Sequence, residues 1–343
     1  MDTRNCQTDF TPERVIAGEN CSPALNRYAF CSAIPESQYL QSRVAVIPCV
    51  GVTVSSHTAS GGGFNNVKYL AIRPSTGQPE AVYLALHYLD APIEYYANLT
   101  RLEELAKARN VLVLVPQAPS AITSLPIAGL PLPEDIRILS RWPTQASQPV
   151  ESYLRLLDAV VASARGLFNA QNIPLYASGL SNGAPMAYFY ACNRPQNVDA
   201  ILAVAGNQQA ANIAACHPSQ PVGVVIVHGT ADVIASYSGL PGDLSMPVPQ
   251  IYAAFRRLNQ CATGSDRQAT LTRTSGTTRI DFTGPCLNAR RVILAATLGD
   301  GHNWPGDDQA PLAGLPIDLF GATKDVIDAT IQGYDLMRYA AGN

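Results

Sequence analysis

Gly179-Leu180-Ser181-Asn182-Gly183 is a G-x-S-x-G run, and its flanks decide how the chain folds. Before it lies Ile173-Pro-Leu-Tyr-Ala-Ser178, a short apolar segment of strand type. After it lies Ala184-Pro-Met-Ala-Tyr-Phe-Tyr-Ala-Cys192, rich in small residues and compatible with a helix. The expected order is strand, tight turn, helix, with Ser181 at the turn. Glycines flank the serine because such a turn is strained and the helix packs close to the strand. The hydroxyl then projects at the C-terminal end of the strand. The amide of Asn182 sits at a helix start, where N–H groups lack intrahelical partners and face developing negative charge.

The rest of the chain alternates in the same way. Ala81-Val-Tyr-Leu-Ala-Leu86, Val111-Leu-Val-Leu-Val115, Ala200-Ile-Leu-Ala-Val-Ala205 and Val222-Gly-Val-Val-Ile-Val227 are unbroken apolar runs, and Arg291-Val-Ile-Leu-Ala-Ala296 is apolar after its first residue. Helical stretches are expected at 95–109, 149–168, 248–258 and 322–339. Apolar strands alternating with helices predict an α/β fold with a mostly parallel sheet covered on both faces. Val44-Ala-Val-Ile-Pro48 and Val67–Arg73 read as early strands, with Gly61-Gly-Gly63 as a turn between them, too short to cradle phosphate. Residues 269–274 and 278–282 read as a hairpin. Residues 117–147 break the rhythm with proline and scattered apolar residues, and such a long loop is expected to serve a substrate cleft. Residues 1–42 read as an irregular, disulfide-stapled N-terminal extension to a catalytic domain spanning 43–343. No linker or internal repeat divides the chain.

Composition narrows the function classes. The chain has 343 residues, net charge −3, 14% charged and 47% hydrophobic residues, which predicts a large core under a weakly charged surface. No basic footprint points to nucleic acid, and no apolar run is long enough to span a bilayer. The eight cysteines form no C-x-x-C and have no histidine at zinc-ligand spacing, so no metal site is expected from them. Their even number and wide spread suggest disulfides and a secreted or periplasmic location. Met1-Asp-Thr-Arg-Asn5 lacks the apolar core of a signal peptide, so the sequence reads as a mature form with an added methionine. Asn20-Cys-Ser and Asn98-Leu-Thr fit the glycosylation pattern.

A serine of this kind needs a histidine and an acid. Of five histidines, His57 reads as a loop residue, His217 as a surface turn, and His87 and His228 as the ends of core strands. His302 lies in Gly299-Asp-Gly-His-Asn-Trp-Pro-Gly306, a loop just after the last strand, where an imidazole can reach a hydroxyl with one nitrogen and a carboxylate with the other. Val225-Ile-Val-His-Gly-Thr-Ala-Asp232 carries Asp232 to the sheet edge where α/β folds bind ligands. An Asx turn is the plainer reading of Asp232. Asp199, Asp243 and Asp300 are less suitably placed. The order Ser181, Asp232, His302 is that of α/β-hydrolases.

With these blocks assembled, the chain resembles the secreted esterases that include poly(3-hydroxybutyrate) depolymerases, feruloyl esterases and acetylxylan esterases. The resemblance rests on Tyr176–Gly183, His228-Gly-Thr-Ala-Asp232 and Gly301-His-Asn-Trp-Pro-Gly306, and covers about residues 67–306. It implies an α/β-hydrolase fold, a Ser181–His302–Asp232 triad, an ester substrate and no cofactor; a monomer is expected. It also implies disulfides Cys192–Cys216 and Cys261–Cys286, leaving Cys6, Cys21, Cys31 and Cys49 three ways to pair. Many relatives read His-Gly-Cys where this chain has His87-Tyr88-Leu89. The oxyanion hole is then expected from the amide of Asn182 with that of Leu89 or Tyr88. Trp142, Trp304, Tyr88 and Tyr237 are expected to line a cleft for an aliphatic polyester, or for the acyl group of a plant cell-wall ester. A protein that binds an acyl ligand without turnover is the alternative from another class.

Overall fold

A computed structural model describes residues 9–18, 45–46, 49–122, 138–242, 244–306 and 320–342. Twelve strands run through them: β1 Val52–Gly61, β2 Phe64–Pro74, β3 Ala81–Leu86, β4 Val111–Pro116, β5 Ser120–Ile122, β6 Ile138–Ser140, β7 Leu175–Leu180, β8 Ala200–Val204, β9 Gly223–Gly229, β10 Asp266–Arg273, β11 Gly276–Thr283 and β12 Val292–Thr297. Among the described residues the helices are α1 Pro12–Ile16, α2 Ile93–Leu99, α3 Leu102–Ala108, α4 Val150–Phe168, α5 Gly183–Asn193, α6 Ala210–Ala214, α7 Val248–Leu258 and α8 Ile331–Ala340.

Ten strands form one sheet in the order β1-β2-β4-β3-β7-β8-β9-β12-β11-β10. From β4 to β12 all neighbours are parallel, and antiparallel strands close both edges. The six parallel strands are buried along their whole length, because helices cover both faces. Strand alternation divides the core in two. Val82, Leu84 and Leu86 face the layer of α4, α5 and α7, whereas Tyr83 and Ala85 face the layer of α2, α3 and α8. In α4, Tyr153, Leu154, Leu157, Val160, Val161 and Ala164 recur at helical spacing and bury one stripe. The strand order and elbow make this an α/β-hydrolase fold, as the sequence predicts. Its parallel strands bring the ends of β7, β9 and β12 to one edge of the sheet.

Several expectations need correction. Ala45 and Val46 lie outside any strand, and the first strand starts at Val52, after Gly51 turns the chain at φ +84°. His57 belongs to β1 rather than to a loop, and its ring stacks on Tyr69 with centroids 5.4 Å apart. The expected helix over 95–109 breaks at Arg101, whose φ is +53°. The final helix starts at Ile331, not near 322, because Asp328 Oδ1 caps it by accepting from the amides of Thr330 (2.8 Å) and Ile331 (3.3 Å). Residues 12–16 of the supposedly irregular extension are helical, capped by Thr11. The 117–147 loop opens and closes with the β5–β6 pair, while 123–137 lies outside the described residues. Asn98 is buried and donates to the Ala45 carbonyl (3.1 Å), so it is no exposed glycan acceptor; Asn20 lies outside the described residues. Disulfides join Cys192 to Cys216 and Cys261 to Cys286. Cys49 is also oxidised, whereas Cys6, Cys21 and Cys31 lie outside the described residues.

Candidate active site

Ser181 sits between β7 and α5 with φ +52°, a left-handed conformation that only strong local constraint maintains for a side-chain-bearing residue. Its amide donates to the Val204 carbonyl (2.9 Å), and its own carbonyl accepts from the Ala184 amide (3.0 Å). The flanking glycines follow from space. A Cβ on Gly179 would overlap the Gly183 carbonyl, and one on Gly183 would overlap the Leu86 carbonyl. The sequence reading missed a third glycine: a Cβ on Gly206 would strike the Ala184 side chain and the Ser181 carbonyl. Its signal is its place at the end of the β8 run.

The structure brings Ser181, His302 and Asp232 together. His302 Nε2 lies 2.9 Å from Ser181 Oγ, and His302 Nδ1 lies 2.8 Å from Asp232 Oδ2. Asp232 fulfils its plainer reading as well. Its Oδ1 accepts from the amides of Ile234 (2.8 Å) and Ala235 (2.7 Å) as an Asx turn, which leaves Oδ2 facing the imidazole. Burial raises the pKa of this carboxyl, but hydrogen bonds from His228 and His302 outweigh it and hold Asp232 well below the usual carboxylate range.

The His302 loop is pinned from both sides. Its amide donates to the Phe320 carbonyl (2.6 Å), and Gly301 donates to Ala322 (2.8 Å). Asp300 Oδ1 accepts from Gly301, Asn303 and Lys324. Farther along, Arg101 donates to the Gly306 carbonyl (2.7 Å) and to Asp328 (3.2 Å) and also pairs with Glu104. The break between α2 and α3 thus supplies a brace for this loop.

On the other side, the Asn182 side chain clamps the backbone of Trp142. It accepts from the Trp142 amide (2.8 Å) and donates to the Trp142 carbonyl (3.0 Å). His87 is buried, and desolvation pulls its pKa down to about 4 despite the bond to Tyr88. Nε2 accepts from the Ala118 amide (2.9 Å), so the proton sits on Nδ1, which donates to the Tyr88 carbonyl (2.6 Å). A peptide's C=O and N–H point in opposite directions, so holding the Tyr88 carbonyl also orients the Leu89 amide.

Ser181 opens on a cleft of about 280 Å³. Leu89, Leu139, Ile234, Leu240 and Leu244 form its apolar lining, and Arg141, Thr144, Asn207, Gln208 and Gln209 give it polar groups. Leu89, Asn182 and His302 border it too. None of the four expected aromatic residues lines the cleft. Trp142 and Trp304 are 0% and 1% exposed, with indole N–H groups donating to the His87 carbonyl (3.0 Å) and to Thr330 Oγ1 (2.8 Å). Both rings are core pieces that brace loops, because a buried indole with its donor satisfied packs well. Tyr88 packs against Tyr96, and Tyr237 against His228; neither lines the cleft. Among the described residues there is no cluster of His, Cys, Asp and Glu that could hold a metal ion, and no helix long and apolar enough to cross a membrane.

Sheet order, elbow and the contact of serine, histidine and aspartate define an α/β-hydrolase scaffold carrying a Ser–His–Asp constellation. No family model matches the chain. NocK of Nocardia uniformis subsp. tsuyamanensis, a candidate esterase, is 28% identical over 180 residues, 48% of this chain and 52% of that protein. The chain therefore spans about half the length of that relative. An acetyl xylan esterase from Aspergillus awamori superposes with a TM-score of 0.47 at 16% identity, over 74% of this chain and 95% of that one. A cold-adapted esterase from an Arctic intertidal metagenomic library gives 0.40 at 14% identity, over 60% of this chain and 80% of its own.

Proposed function

We propose that this protein is a serine esterase that cleaves carboxylic esters through an acyl-enzyme. The observation that carries this reading is the unbroken hydrogen-bond path from Ser181 Oγ through His302 to Asp232, opening on a cleft. Ser181 Oγ attacks the ester carbonyl while His302 Nε2 takes its proton. Asp232 keeps the Nδ1–H tautomer and stabilises the imidazolium. His302 then protonates the departing alcohol. Water, deprotonated by the same nitrogen, attacks the acyl-enzyme and releases the acid. The amides of Asn182 and Leu89 receive the oxyanion. Both residues border the cleft, and among the described residues neither amide donates to another group.

The acyl group is aliphatic and bears further oxygen atoms, as in a polyester of hydroxy acids. The cleft supports this reading, having leucine and isoleucine walls, amide side chains and no phenylalanine, tyrosine or tryptophan among its described lining residues. The disulfides support an oxidising, secreted or periplasmic setting. The test is release of soluble hydroxy acid from a polyhydroxybutyrate film, run beside methyl ferulate and acetylated xylan, with Ser181→Ala as the blank. Film hydrolysis lost in the variant is expected. Release only from ferulate or xylan would refute the aliphatic substrate, and equal activity in the variant would refute the serine mechanism.

A further inference from the structure

The proposed triad does not use His228, yet the same carboxylate oxygen meets both imidazoles. His228 Nε2 lies 3.2 Å from Asp232 Oδ2, the atom that faces His302 Nδ1 at 2.8 Å. The side chains of His228 and Asp232 are both 0% exposed. His228 Nε2 also lies 2.7 Å from the Ala235 carbonyl, which can only accept. Nε2 therefore carries the proton, donates it to the Ala235 carbonyl and also lies against Asp232 Oδ2. Nδ1 of His228 is buried without a hydrogen-bond partner, which suits a bare lone pair and gives no acceptor for a second proton. The other groups around this ring are few. On β12 its register partner is Ala296, and the Tyr237 ring lies edge-to-face with it, centroids 6.0 Å apart. Among the described residues the ionisable groups facing it are Asp232, Tyr237 and, beyond the carboxylate, His302.

We propose that His228 is a positioning residue that divides the Asp232 carboxylate between two donors and so limits how strongly it holds the His302 imidazolium. The inference rests on the triad reading above. Asp232 Oδ1 is already committed to two backbone amides, so Oδ2 alone is left for both histidines. Each donor draws electron density from that oxygen. Removing the His228 donor leaves Oδ2 to His302, whose charged form gains. The acid limb of kcat/KM then moves to higher pH.

The test uses His228→Leu, which removes the donor, and His228→Gln, whose amide nitrogen stands where Nε2 stands. Leucine is expected to move the acid limb of kcat/KM up by about one pH unit. Glutamine is expected to leave it at the wild-type position. A pure packing role would lower the melting temperature of the leucine variant and leave the limb in place; that result overturns the inference while the triad stands. Loss of Ser181-dependent hydrolysis in the wild type would instead overturn the triad reading. Should the leucine variant fail to fold, nitrogen-15 imidazole spectra of the intact protein at pH 8 decide. Protonation of His228 on Nε2 alone supports the proposal, and protonation on Nδ1 contradicts it.

Discussion

Replacing Asp300 by asparagine will stabilise this protein at pH 8 far more than at pH 4. Asp300 is fully buried beneath the His302 loop. Its Oδ1 accepts from the Gly301 amide (3.1 Å), Asn303 Nδ2 (3.0 Å) and the Lys324 amide (2.9 Å), while Oδ2 is buried without a partner. Burial raises its pKa from 3.8 to about 6, against the lowering effect of those hydrogen bonds and with help from the charge of Asp325. A carboxyl with a raised folded pKa prefers its proton in the native state. It costs nothing well below its unfolded pKa of 3.8, where both states are protonated, and only a few tenths of a kcal/mol at pH 4. The cost grows as pH rises from about 4 to 6 and is complete above that. A gap of about two units at 1.36 kcal/mol each gives roughly 3 kcal/mol of destabilisation at pH 8. Asparagine keeps the Oδ1 acceptor and carries no charge. Placing an amide NH₂ at the Oδ2 position has a cost of its own, common to both pH values. The difference between variant and wild type at pH 8, minus that at pH 4, therefore isolates the ionisation effect. Urea unfolding at both pH values measures it, and about 3 kcal/mol is expected. Equal differences at the two pH values would refute the reasoning.

Two other outcomes follow from the packing. Gly206→Ala will lose about 1–3 kcal/mol of stability and most of the proposed esterase activity, because the new methyl strikes Ser181's own carbonyl and the Ala184 side chain; thermal melting and ester turnover measure both. Replacing Cys261 and Cys286 together by serine will cost about 3 kcal/mol by freeing a loop of sequence separation 25, yet leave kcat unchanged, because the bridge ties α7 to the segment before β12, away from the cleft. Chemical denaturation and initial rates at saturating ester check that pair.

The parts of the fold legible in sequence were those set by burial on both sides of a strand. Val111–Val115 and Ala200–Val204 read directly as core strands because every residue in them is apolar. α7 appears over the expected residues, with buried positions at helical spacing. The elbow was legible because close packing forbids side chains at Gly179 and Gly183. What escaped depends on distant partners. β1 mixes polar and apolar residues along the sheet edge, so its apolar pattern is faint and His57 looked like a loop residue. The break at Arg101 is held by Gly306 and Asp328, about two hundred residues away in sequence. Trp142 and Trp304 looked like cleft residues because they stand beside functional loops in sequence. Their rings turn inward, where His87 and Thr330 receive the indole hydrogens. His228 showed only as the end of a strand, and nothing in its neighbours announced that it would share Asp232.

The central claim is that Ser181 is a nucleophile activated by His302. Labelling with a fluorophosphonate, followed by peptide mass analysis, tests it most directly. The account predicts one adduct, on the peptide holding Ser181, absent in Ser181→Ala and much slower to form in His302→Ala. An unlabelled wild-type protein, or an adduct that persists in Ser181→Ala, would contradict it.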